Sequence, residues 1–127
     1  MLIAIVEQTN LNNQTDQRYT GMIENLSQRL ADHDNIIVQV MPTVEMAKRM
    51  ITQIRFSAII FVSGYMVKPA RELALAIRRQ GLTTKVITLE GAMVVEAQMN
   101  EPIIRLDKVA ASANNCRELI RAICRAN

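Results

Sequence analysis

The chain contains no tryptophan, two phenylalanines, two tyrosines and one histidine among 127 residues. So small an aromatic supply argues against a stacking platform for single-stranded nucleic acid, and it leaves the core to Ile, Leu, Val, Ala and eight Met. The two cysteines, Cys116 and Cys124, share no metal-ligand spacing with His33, the one histidine, so no metal site is expected. At about 100° per residue along a helix they fall on one face, which predicts two reduced thiols packed in a core. No apolar run approaches the ~20 residues that cross a bilayer, and MLIAIVEQTN lacks the basic lead and small-residue cleavage site of a signal peptide. A cytoplasmic protein without membrane insertion is expected.

Runs of like charge are also missing. The net charge of +3 is unevenly spread: residues 1–64 carry five Lys/Arg against six Asp/Glu, and residues 65–127 carry ten against six. A modest basic surplus with no reader motif argues against specific nucleic-acid binding.

What is present is half hydrophobic, enough for one domain over residues 1–127 with a core of its own. Short apolar runs alternate with amphipathic segments. Met1–Val6, Ile36–Met41, Ala58–Val62, Lys85–Leu89 and Pro102–Leu106 read as strands. Asp16–Ala31, Thr43–Ile54, Pro69–Gln80, Ala92–Met99 and Ser112–Ala126 read as helices, with Thr43 and Ser112 as N-caps and Gly81 as a C-cap. Five strands each followed by a helix predict an α/β fold, a three-layer, doubly wound (βα)5 arrangement around a five-stranded parallel sheet. The polar loop EQTNLNNQTDQRY from Glu7 lies at the C-terminal end of the first strand, where such sheets bind ligands.

The stretch SAIIFVSGYMVKPARELALAIRRQGLTTKVITL, residues 57–89, resembles the central third of a bacterial response-regulator receiver domain. The length and the strand-helix alternation extend that resemblance over almost the whole chain and imply a CheY/flavodoxin-like fold. Receivers place acids for Mg²⁺, a phosphoacceptor aspartate, a Ser/Thr and a lysine at the strand ends, because Mg²⁺ takes hard oxygen ligands and the acceptor must be an anion. Laid on that pattern, IVEQ supplies Glu7 and then Gln8. Val62 stands at the phosphoacceptor position beside Ser63, Glu90 replaces the Ser/Thr, and Lys108 in RLDKV takes the lysine position.

A valine accepts no phosphoryl group. The resemblance is therefore to an atypical or pseudo-receiver, of the kind found at the N-terminus of MinD-like pilus-assembly ATPases. It implies a non-catalytic, phosphorylation-independent signalling or assembly module that acts through protein-protein contacts, with no cofactor. The face that pairs receivers corresponds here to Met93, Val94 and Met99 and to Arg117, Arg121 and Arg125. A homodimer is expected, its arginines meeting Glu96, Glu101 and Asp107 of a second copy.

The residues leave an alternative open, a small-molecule or nucleotide sensor at the strand C-terminal ends, rimmed by the Asn/Thr loop. FMN is disfavoured because the first loop has no glycine before Gly21, although Tyr19 and Tyr65 stand near the expected mouth. Catalysis is disfavoured because Ser63-Gly64 lacks the G-x-S-x-G frame and His33 belongs at the far end of the first helix.

Overall fold

The computed structural model describes residues 1–12, 16–91 and 101–125. Its strands are β1 (Leu2–Val6), β2 (Ile37–Met41), β3 (Ala58–Phe61), β4 (Lys85–Glu90) and β5 (Ile104–Asp107). They form one sheet in the order β2-β1-β3-β4-β5, and every pair is parallel. The helices are α1 (Thr20–Ala31), α2 (Val44–Met50), α3 (Val67–Arg79) and α4 (Lys108–Cys124). This is the expected doubly wound, CheY/flavodoxin-like α/β arrangement. The expected helix Ala92–Met99 lies outside the described residues.

Alternation along each strand sends side chains to opposite faces and produces two cores. Ala4, Val6, Ile59 and Phe61 pack with Val44 and Ala47 of α2 and with Ala70, Leu73, Ala74 and Ile77 of α3. Ile3, Ile5, Ile60, Ile87 and Leu89 pack with Ile23, Leu26 and Leu30 of α1 and with Leu119 and Ile123 of α4. The helical partners recur at three- and four-residue spacing, as amphipathic helices laid on a sheet require. The chain reverses its direction of travel across the sheet between β1 and β3. The loops after those strands therefore diverge and leave a crevice at their C-terminal ends.

Helix ends follow local chemistry. Thr43 caps α2 by accepting from the Met46 amide at 3.2 Å. The sharpest stop is after α3: Gly81 adopts φ +71, its amide donates to Arg78 O and that of Leu82 to Ile77 O, both at 3.1 Å. That crossed pair satisfies two carbonyls the helix would leave open. Gly81→Ala is expected to cost about 1 kcal/mol, because a Cβ penalises the left-handed backbone; urea unfolding of the two proteins measures it.

The last helix departs from expectation. It starts at Lys108, capped by Asp107, whose Oδ1 accepts from Val109 N at 2.8 Å and Ala110 N at 3.0 Å. Ser112 is no cap; its hydroxyl donates back to Lys108 O at 3.0 Å, because the acid at the strand end reaches the free amides first. The helix is also interrupted. Ala113 is extended, and Asn114, Asn115 and Cys116 follow with φ 51, 57 and 64. Asparagine tolerates this left-handed region better than other side chains.

The interruption is tied to α1: Arg29 Nη1 donates to Ser112 O and His33 Nε2 to Asn115 O, both at 2.8 Å. It also corrects the reading of the cysteines. Cys116 is buried and Cys124 exposed, since a helical count of 100° per residue cannot start from a residue of the opposite hand. Beyond the interruption, Lys85 Nζ clasps the end of α4 by donating to Ile123 O at 2.8 Å and to Arg125 O.

Candidate functional site

The strand ends carry the six residues that the sequence pattern lays on receiver positions, but their side chains do not converge. Glu7 follows β1 on the face covered by α1 and borders a groove with Thr20, Glu24 and Val40. Gln8, one residue on, turns to the other face and is buried. Its Oε1 accepts from the Val44 amide and its Nε2 donates to Asn10 O, both at 2.9 Å. A residue at an acid's place thus clips the first loop to the start of α2. Thr9 and Asn10 close the same loop on itself, Thr9 Oγ1 accepting from Asp16 N at 2.7 Å and Asn10 Oδ1 from Asn12 N at 2.9 Å.

After β3, Val62 is 0 % exposed and belongs to the core between the sheet and the α1/α4 layer. Ser63, also buried, uses its hydroxyl to accept from the Tyr65 amide at 3.2 Å, starting the 3-10 turn Gly64–Met66. Neither faces solvent as a nucleophile must.

Glu90 and Lys108 also border different cavities, Lys108 lying beside Met22, Arg29 and Leu89. A cleft of about 310 Å³ is lined by Tyr19, Gly64, Tyr65, Glu90 and Gly91, and the Lys108 ammonium sits 5.9 Å from the centre of the Tyr19 ring, within cation–π range. Tyr19 and Tyr65 thus stand at the mouth where the sequence placed them. The Glu90 side chain is 2 % exposed and that of its partner Arg105 is 13 %. The guanidinium grips both carboxylate oxygens, Nε to Oε2 at 2.6 Å and Nη2 to Oε1 at 2.7 Å, and Thr88 Oγ1 lies 3.2 Å from Oε2.

A fork-on-carboxylate pair of this kind is among the strongest side-chain hydrogen-bonded arrangements. A second pair stands beside it: Arg71 Nε donates to Glu101 Oε1 at 2.6 Å and Nη2 to Oε2 at 3.1 Å. The four residues place two cations and two anions together on the α3 side of β4 and β5.

Sequence reasoning missed Arg105, Arg71 and Thr88. The register carries the signal, because Thr88 is paired with Arg105 and Glu90 with Asp107, which sets Arg105 one step across from Glu90. Spacing along the chain alone does not show that step.

The hydrogen bonds from Arg71 hold the Glu101 carboxyl below the ordinary glutamate range, and Glu101 in turn raises the Arg71 guanidinium. Charged Glu101 therefore favours the fold: its contribution is complete above the unfolded-state pKa and is lost as pH falls through the lower folded-state value. Stability measured by urea unfolding is expected to decline on the acid side of the ordinary carboxylate range. In Arg71→Met that part of the decline should shrink, and an unchanged acid slope would show that the pair does not set it.

The two strand-end glutamates do not share a cavity, the acceptor position is apolar, and among the described residues no three His, Cys, Asp or Glu side chains group as a metal site.

Of the expected pairing face, Met93, Val94, Met99 and Glu96 lie outside the described residues. Arg117, Arg121 and Arg125 are exposed, with Arg125 just past the helix end. Arg121 meets Glu118 of its own helix at 3.3 Å. The acids expected opposite them have partners within the chain, Glu101 on Arg71 and Asp107 on the α4 amides. Comparisons with protein-family models, curated proteins and solved structures give no match. The functional reading rests on the chain's own residues.

Proposed function

We propose that this chain is a pseudo-receiver: a non-catalytic, phosphorylation-independent signalling or assembly module of the bacterial cytoplasm that works by protein-protein contact, as a homodimer. The observation that carries the proposal is Val62, fully buried in the core at the strand end where a receiver needs an exposed carboxylate. The surroundings support it. Ser63 is committed to a turn, Gln8 to a loop clip and Glu90 to Arg105, so with Val62 four of the six groups laid on a receiver's chemical positions have a packing or bonding task instead.

A module without a switch should assemble in one state whatever the phosphoryl supply. Sedimentation over a wide range of protein concentration, with and without Mg²⁺ and beryllofluoride, tests this. A dimer unaffected by both additions is the expected result, and Met93→Glu with Met99→Glu should convert it to a folded monomer. A mass or stability that responds to beryllofluoride would overturn the reading in favour of a true switch.

A further inference from the structure

Between α1 and α4 lies a groove of about 350 Å³, bordered by Met22, Asn25, Leu26, Arg29, Leu89 and Lys108, which the assembly role leaves unused. Buried Leu26 and Leu89 give it an apolar base. Its charged groups are both cations, and no Asp or Glu lines it. The Lys108 ammonium lies over the Tyr19 ring. Like the Arg29 guanidinium, it has no carboxylate within ion-pair distance among the described residues.

The fold sets the spacing of the two cations. Arg29 Nη1 donates to Ser112 O at 2.8 Å, which ties the guanidinium to α4 one turn beyond Lys108. The Ser112 hydroxyl donates to Lys108 O at 3.0 Å, as residues four apart on one helical face do. Four residues of helix rise about 6 Å, so the cations hold separate stations along the groove. Arg29 uses one N–H for its bond to Ser112, and its fork keeps others for a carboxylate. Lys108 gains nothing from its place on α4, since a positive charge on the first residue of a helix opposes the macrodipole.

Two cations a turn apart over an apolar base call for two anions joined by methylenes. A single carboxylate would neutralise one cation and leave the other, and a compact anion such as phosphate brings nothing to cover Leu26 and Leu89. We propose that this groove binds a short aliphatic dicarboxylate, one carboxylate on Arg29, the other on Lys108 and the methylenes over Leu26 and Leu89. This goes beyond the assembly role and does not depend on it.

The test titrates the whole ¹⁵N-labelled chain, at fixed ionic strength, with succinate and glutarate, and with butyrate and inorganic phosphate as controls. Saturable shifts of the Gly21, Asn25 and Ser112 amides at ~1 mM dicarboxylate or below are expected, with butyrate and phosphate binding about tenfold more weakly or worse. Lys108→Gln should weaken succinate by about tenfold, the order of one charge-assisted hydrogen bond, and leave butyrate unchanged. Its thermal melt is the control, and the fold should tolerate the change because Lys108 is half-buried at a helix start where its charge is unfavourable. Arg29→Lys, which keeps the charge without the fork, should weaken succinate and butyrate alike. No saturable shift with either dicarboxylate, butyrate or phosphate binding as tightly as succinate, or undiminished binding by Lys108→Gln would each overturn the proposal. Sedimentation of the unliganded protein reads the assembly role separately.

Discussion

Val62→Asp is expected to destabilise the fold by about 4 kcal/mol or more and to yield no phosphorylated protein with acetyl phosphate and Mg²⁺. The substitution writes a receiver's acceptor back into the sequence, but position 62 is closed to water and belongs to the same apolar cluster as Ile5, Ile60 and Leu89. A carboxyl group there has two courses. It stays charged without hydration, or it takes up a proton at a pKa raised by about 3 units, equivalent to ~4 kcal/mol at neutral pH. Val62→Ala, which removes volume without adding polarity, should cost far less, about 1–3 kcal/mol. Guanidinium unfolding ranks the three proteins. A stable Val62→Asp protein that becomes phosphorylated would mean the strand end can present an acceptor, and the pseudo-receiver proposal would fail with it.

The second large effect belongs to Arg105. Its replacement by Met should cost about 3–5 kcal/mol, since it strands the Glu90 carboxylate in a site where the side chain is 2 % exposed. Removing both charges together, Glu90→Met with Arg105→Met, should restore much of that loss, because the cost of taking two ions out of water disappears with them. The double-mutant cycle separates the value of the pair from the penalty for breaking it. If the single and double changes destabilise equally, the charges are not coupled and the pair is incidental to the stability of β4 and β5.

The fold was legible because its signals are local. The apolar run Ala58–Phe61 and the three- and four-residue spacing of Ala70, Leu73, Ala74 and Ile77 name a strand and a helix without knowledge of any neighbour. Thr43 and Gly81 were legible for the same reason, as each acts on amides or carbonyls a few residues away. Calls that needed geometry across the chain fared worse. Asp107 rather than Ser112 caps α4, and the choice turns on where β5 stops. Cys124 was placed in the core by a helical count that the reversed residues before it invalidate.

The candidate site divides along the same line. Positions such as Val62 and Glu90 follow from laying a strand pattern on the sequence, whereas the partner of Glu90 sits fifteen residues away on another strand. Nothing in a linear reading joins Glu90 to Arg105 until β4 and β5 are set in register.

The left-handed residues Asn114–Cys116 bear on how the molecule comes apart. A hydrogen-bond ladder from each amide to the carbonyl four residues earlier cannot pass through a reversed hand, so the two segments of α4 do not share helical cooperativity. Each is held from outside instead: the front by Asp107 and by Arg29 of α1, the rear by Lys85 of β4. The rear segment, residues 117–124, thus depends on the Lys85 clasp and on Leu119 and Ile123 packed against the sheet, and Lys85→Met is expected to speed exchange of its amides more than those of the front segment.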